Sequence, residues 1–399
     1  MRWILKLFIQ MVALFTLIGL KILSPIIRVE LCIVAFHRYG HLALEPEIFL
    51  GEKEIRDRTV KSKRFPIRIQ WWSFGPKRLQ ANHFLVSKWR EVLCTFPSWW
   101  VNALHTAGKA VRFLQLDEPK MSVRGSCNSL DQTSAHLRMT NAEIKRGRTA
   151  LSELGLNPDK PYICLVVRDG GHYASLGEKE SNGYSFMNFD ITKFEQASLS
   201  LAQRGYQVVR MGAGSEMAFG ANHLGIIDYA NSPKRSAFLD VFIAATCSFA
   251  VSTQTGPDAV CLAFRRPVCY IDITRFSQFF FGTKLAWWNP AELWKGDTRL
   301  TLNEMLSGPI FWIKDPNDFN TLGIRQIQSD PEKIDRMVNR FSEAFERGLT
   351  QTHEESKFTR DVQDFISGKD NERCAMEFGE IRAVINPVEM NEIGFSFRL

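Results

Sequence analysis

The stretch from Cys247 to Asp272 reads CSFAVSTQTGPDAVCLAFRRPVCYID. An apolar run leads into Ser252, Thr253, Gln254, Thr255 and Gly256, a helix of small residues opens around Pro257, and a second apolar run follows. Strand, turn, helix, strand is the repeating unit of a parallel sheet, because parallel neighbours require a crossover and the crossover is usually helical. Strands that are apolar almost without interruption belong to a sheet covered on both faces.

The same rhythm extends upstream. YICLVVRD, YQVVRMG, LGIIDYA and CSFAVST read as strands; NAEIKRGRTALSELGLNP, with Asn141 as its cap, DITKFEQASLSLAQRG and SAFLDVFIAAT read as the helices between them. DPEKIDRMVNRFSEAFERGL is a long amphipathic helix followed by a polar, acidic tail. Ligands of open α/β sheets bind beyond the carboxyl ends of the strands. Those ends carry Arg168 and Asp169, then Arg210 and Gly212, then Asp228, then Ser252, Thr253, Thr255 and Gly256, and finally Asp272. Arginine offers a planar fork suited to phosphate oxygens, and a helix start beside Gly256 favours an anion. The cluster is therefore expected to cradle a diphosphate through Arg168, Arg210, Gly212, Asp228, Ser252, Thr253, Thr255 and Gly256. Taken singly, the same residues also fit a helix cap or a surface ion pair.

Several function classes find no support. There is no GxxxxGK(S/T) loop for nucleotide hydrolysis and no GxGxxG after the first strand for a dinucleotide oxidoreductase. No acidic or Cys/His set has metal-ligand spacing, so neither a metal nor a cofactor is expected. The eight cysteines include no CxxC pair and several sit in apolar runs, as reduced core thiols do.

The run 162–273 resembles a family of bacterial glycosyltransferases of surface-polysaccharide synthesis, of GT-B type and distantly similar to fucosyltransferases. YICLVVRDGGHY, NFDITKFEQASLSLAQRGYQVVRMG, IIDYANSP, FLDVFIAATCSFAVSTQTG and RRPVCYID carry the likeness in order. HRYGHLALEPEIFL and ANHFLVSKWREVL resemble that family's N-terminal loop and helix. Two departures stand out: Met187-Asn188 where the family has Arg-Asn, and Thr255-Gly256 followed by Pro257-Asp258 where the loop usually ends in Ser-Gly.

The resemblance implies an α/β chain of two Rossmann-like domains with parallel sheets. Its organisation would be a membrane-associating helix at 1–27, an acceptor domain at 28–140, a nucleotide-sugar domain at 141–345 and an extension at 346–399. It also implies transfer from a nucleotide-sugar donor to a glycan or lipid-linked acceptor, with the leaving diphosphate neutralised by cationic side chains rather than by a metal. Arg168 and Asp169 are candidate catalytic residues. His41, after Gly40, is a candidate base for the acceptor hydroxyl, with Glu45, Asp169 and His172 as rivals. Two alternatives stay open: a non-catalytic relative that binds nucleotide sugars or glycans, and another Rossmann-type transferase.

At the N-terminus, MRWILKLFIQMVALFTLIGLKILSPII holds fourteen residues between Lys6 and Lys21 of which only Gln10 and Thr16 are polar. At about 100° per residue, Arg2, Lys6, Gln10 and Lys21 share one narrow face of a hydrophobic, amphipathic helix that Pro25 ends. Such a helix lies on a membrane surface; a spanning anchor and a signal peptide are the alternatives. The expected location is the cytoplasmic face of the inner membrane, peripheral or singly anchored. The net charge is +7, concentrated in 51–70, where seven basic residues face three acids. That excess fits a solvated connector or an anionic partner. No nucleic-acid motif accompanies it, so nucleic acid is not among the expected partners.

Overall fold

A computed structural model describes residues 2–59, 66–123, 128–169, 188–215, 217–219, 223–278, 282–313, 316–350, 353, 356–357, 359–360, 362 and 384–385. The chain divides into two compact units, Met1–Val123 and Arg124–Leu399.

The first unit runs α1 (Arg2–Leu23), β1 (Ile27–Ile33), α2 (Tyr39–Thr59), β2 (Ile67–Ser73), α3 (His83–Val92) and α4 (Ser98–Ala110). β1 and β2 pair in parallel from Ile27 with Ile67 to Ile33 with Ser73. Single parallel bridges, Glu30 to Asp117 and Trp72 to Thr95, extend this sheet by one position on each side. α3 is capped by Asn82, whose side chain accepts from the Leu85 N–H at 2.9 Å. α2 starts earlier than the glycine suggested: Gly40 and His41 lie in its first turn, not in a loop. Part of the basic excess is spent along α2, where Lys53 pairs with Asp57 at 3.0 Å and Arg58 with Glu54. Positions three and four apart on a helix face each other, so these are solvated ion pairs of small worth.

The second unit contains α5 (Asn141–Glu153), β3 (Tyr162–Val166), α6 (Glu195–Gln203), β4 (Gln207–Arg210), β5 (Ile226–Asp228), α7 (Ala237–Thr246), β6 (Ala250–Ser252), α8 (Asp258–Ala263) and β7 (Val268–Ile273). It continues with β8 (Ala286–Pro290), β9 (Glu292–Lys295), β10 (Thr298–Arg299), β11 (Ile324–Ile327), α9 (Pro331–Glu346) and β12 (Val384–Ile385). Among the described residues, β12-β8-β7-β6-β3-β4-β5 form one sheet in which every pairing is parallel. β9, β10 and β11 make a separate antiparallel ribbon. The cap of α5 is Thr140 rather than Asn141, in a reciprocal capping box with Glu143.

Side chains alternate across β3 and tie both faces of the sheet to helices. Ile163 and Leu165 enter a core with Leu201 of α6, Phe249, Trp287 and, from α9, Ile334, Met337 and Phe341. On the other face the Tyr162 hydroxyl donates to the Ile243 carbonyl of α7 at 3.0 Å, and the Cys164 thiol donates to the same oxygen at 3.5 Å. Closure of that face depends on Gly147 of α5, where a Cβ would stand 2.2 Å from the Phe242 ring of α7. The described cysteines are free, as expected. Cys164, Cys247 and Cys261 bring their sulfurs within 4.8 Å of one another. Each donates its S–H to a main-chain carbonyl, of Ile243, Ala244 and Pro257 respectively, as core thiols do.

Candidate active site at the sheet switch point

Numbered within the second unit, the six strands β5-β4-β3-β6-β7-β8 run 3-2-1-4-5-6, with β12 added beyond the last. This order reverses between β3 and β6, and in open α/β sheets such a switch point is where a crevice lies beyond the carboxyl ends of the strands. Arg168 and Asp169 follow β3; Ser252 and Thr253 end β6. The two strands are stitched there: the Thr253 N–H donates to the Val166 carbonyl at 3.2 Å, and the Arg168 N–H donates to the Thr253 hydroxyl at 2.9 Å. β4 and β5 bring Arg210 and Asp228 to the same rim. The tertiary structure thus gathers Arg168, Asp169, Arg210, Gly212, Asp228, Ser252, Thr253, Thr255 and Gly256 on one edge of one sheet.

The electrostatics of that edge differ from those expected. The Arg210 side chain is 1% exposed and is held between two carboxylates, Asp169 at 3.2 Å and Asp228 at 3.4 Å, while also donating to the Met217 carbonyl. Asp228 additionally accepts from the Phe219 N–H and the Asn231 amide, each at 3.0 Å. A guanidinium flanked by two acids is charge-compensated, and a buried cation without such partners would be costly. Arg210 is therefore placed as the strut of the rim rather than as a phosphate ligand. Gly212, two residues further on, is closely approached: a Cβ there would lie 3.2 Å from that of Ala230.

The hydroxyl loop is likewise engaged from within. Asp258, 1% exposed at the start of α8, accepts from the Ser252 hydroxyl at 2.5 Å and from the Thr255 N–H at 2.7 Å. The Gln254 N–H donates to the Ser252 hydroxyl at 3.1 Å, and Gln254 takes the left-handed backbone at φ 63° that lets the loop double back. Ser252 and Thr253 are buried. Asp258 occupies the seat that the sequence had assigned to an anion, and α8, only six residues long, adds little dipole of its own. Thr255, Gly256, Gly212 and Arg168 remain partly exposed along the crevice.

Burial raises the Asp258 carboxyl from 3.8 to about 7, against the lowering effect of its hydrogen bonds to Ser252, Thr255 and Tyr270. A folded-state pKa above the unfolded one means that the native chain holds the proton the unfolded chain has released. The stabilisation is full below pH 4 and is lost as pH rises towards 7. Asp258→Asn mimics the protonated form. It should flatten the pH dependence of unfolding free energy between pH 4 and 7, by a difference of the order of 4 kcal/mol across that window. Parallel urea titrations of the two proteins measure this, and identical slopes would contradict it.

Two other acids of this unit, Asp272 at a strand end and Asp240 on α7, are engaged in internal hydrogen bonds. Asp272 is buried and accepts from the Ser329 N–H and hydroxyl, both at 2.7 Å, which anchors the entry to α9. Asp240 accepts from the Tyr229 hydroxyl at 2.8 Å and from Arg235 at 3.1 Å. His172 and Met187 lie outside the described residues.

In the first unit, His41 is oriented rather than isolated. Its Nδ1 is 2.8 Å from Oε1 of Glu45, one helical turn later on α2. The other Glu45 oxygen accepts from the Ala35 N–H at 2.9 Å, so the carboxylate is clamped and buried. If Nδ1 carries the proton, Nε2 is presented as an acceptor; a carboxylate-fixed imidazole is the arrangement general bases use. The i, i+4 spacing of His41 and Glu45 was the available sequence signal. For Asp258 it was an acid three residues after Thr255, the spacing of a cap.

Fold and rim together define a doubly wound α/β unit whose switch point lies between β3 and β6. No family model matches the chain, and no curated protein does. Among solved structures, the chain is similar to the ADP-heptose LPS heptosyltransferase II of E. coli, with a TM-score of 0.37 and 12% identity over 60% of this chain and 83% of that one. It is also similar to a glycosyltransferase family 9 protein of Veillonella parvula, with a TM-score of 0.31 and 9% identity over 61% and 80%. A third is the dodecameric iron-containing heptosyltransferase TibC in complex with ADP-D-β-D-heptose, with a TM-score of 0.32 and 14% identity over 81% and 77%. None of these three is a fucosyltransferase. Likenesses this distant transfer no residue from those proteins to this chain.

Proposed function

We propose that the chain is a glycosyltransferase that moves a sugar from a nucleotide-sugar donor to a glycan or lipid-linked acceptor in surface-polysaccharide synthesis, at the cytoplasmic face of a membrane. The observation that supports it most is the switch point itself: Arg168 and the 252–256 loop stand on the two strands that bound the crevice. On this reading the donor lies across the crevice, with its diphosphate near Arg168 and the Gly212 backbone alongside it. Departure of the diphosphate builds negative charge, which Arg168 offsets without a metal step. Arg210, Asp169, Asp228 and Asp258 hold the rim in shape. His41, oriented by Glu45, is the candidate general base for the acceptor hydroxyl of an inverting transfer.

The charge balance around Arg210 and the internal carboxylate of Asp258 favour one second reading, a relative that binds nucleotide sugars or glycans without turning them over. Thermal unfolding with a panel of nucleotide sugars tests both. A true donor at 100 times its Kd stabilises the chain by about 2.7 kcal/mol, and Arg168→Ala should lose most of that shift at the same concentration. Binding without donor hydrolysis or transfer selects the second reading. If no nucleotide sugar moves the transition, both are wrong.

A further inference from the structure

α1 packs one narrow side and leaves a wide apolar face outside. Its packed side is carried by Ala13 and Leu17, with Gln10 half-buried beside them and Lys6 and Lys21, towards the two ends, exposed. Ala13 and Leu17 are 0% and 1% exposed, against Leu31 of β1, Val101 and Leu104 of α4, and Leu114. Ile9 and Leu14 are packed against the same cluster, so the fastening covers much of the helix. The outer face is apolar and uncovered. Ile4, Phe8, Met11, Phe15, Ile18 and Ile22 follow one another along it in steps of four and three, and Phe15 and Ile22 are 71% and 73% exposed.

A second copy of the chain could cover such a stripe as a coiled coil, but that seam is normally flanked by charged residues. Here the flanks are Trp3, Leu5, Leu7 and Val12, all exposed and apolar, and the outer face is too broad for a two-stranded seam. Charge appears towards both ends, with Lys6 exposed at the first. Lys21 lies 4.3 Å from the centre of the Phe113 ring, Phe113 is 72% exposed, and Lys109 and Arg112 are exposed beside it. A wide apolar face bordered by cations matches an anionic lipid surface, with acyl chains below and headgroups at the rim. Crossing the bilayer would instead require α1 to leave α4, stripping Leu31, Val101, Leu104 and Leu114 of their cover.

We propose that α1 lies in the plane of an anionic membrane, clamped to its own unit by the Ala13–Leu17 face and submerged by the Phe8–Phe15–Ile22 face, and does not span. This rests on the membrane association proposed above and not on the transferase reading. The test uses the full chain with an N-terminal epitope, in sealed inside-out inner-membrane vesicles from an expressing bacterial host, with protease added outside. The expected result is that the chain fractionates with the vesicles and that the epitope and the body are digested together. Phe8→Glu/Phe15→Glu, two exposed positions, should move at least nine-tenths of the chain to the soluble fraction with an unchanged thermal transition. A protected epitope beside a digested body, or an epitope lost by cleavage of the leader, overturns the in-plane placement and leaves membrane association standing. Parent chain found soluble removes both, and a soluble dimer that the double variant dissociates assigns the face to a second copy instead.

Discussion

Arg210→Met should lower the unfolding free energy of the second unit by about 3–5 kcal/mol, the cost of removing one partner from a buried ion cluster. Methionine keeps much of the volume, so the loss is electrostatic: Asp169 and Asp228 would face each other across an apolar chain. Their side chains are 19% and 17% exposed, so water relieves part of the penalty and the lower end of the range applies. Adding Asp169→Asn and Asp228→Asn should restore much of the loss, because an uncharged cluster needs no counter-ion. Chemical denaturation of the single and triple variants measures both effects. A change below about 1 kcal/mol for Arg210→Met would mean that the rim is solvated and that Arg210 is held for its charge towards a ligand after all.

The second large effect concerns catalysis. His41→Ala should reduce kcat for sugar transfer by about 10²- to 10⁴-fold, the usual contribution of a positioned general base. Stability should change little, since the His41 side chain is 34% exposed. Glu45→Gln should cost less activity than His41→Ala: the amide still accepts the Ala35 N–H but holds the imidazole tautomer less firmly. Donor binding, read by thermal shift, should be unchanged in both. Full transfer activity in His41→Ala would remove the residue from the chemistry and return the role to Asp169 or His172.

The two predictions sit differently with respect to the sequence. His41 and Glu45 are four residues apart, within reach of any reading that starts the helix at Tyr39. Gly40 suggested a loop and a helix entering only at Leu42, three residues after its actual start at Tyr39. Arg210, Asp169 and Asp228 were all visible at strand ends, yet their mutual neutralisation joins positions 41 and 18 residues apart and depends on which strands are adjacent. The C-terminal portion between 286 and 330 was silent. β8, AWWNP, is fully buried but carries neither alternation nor branched residues, and the ribbon of β9, β10 and β11 consists of pieces of two to four residues.

What the sequence by itself determined is local and periodic. Continuous apolar runs separated by helical spacing dictate a parallel sheet with two covered faces, because backbone pairing and burial leave no other use for them. The 100° periodicity of residues 2–23 likewise specifies a two-faced helix. Only the tertiary structure decided the strand order, the compensation of the rim charges and which face of α1 turns inward. Each depends on what lies across space from a residue: Asp258 reaches the Ser252 hydroxyl and the Thr255 N–H from the start of α8, and the side of α1 that carries Ala13 and Leu17 turns inward because these two pack against α4, while Lys6 and Lys21 stay exposed.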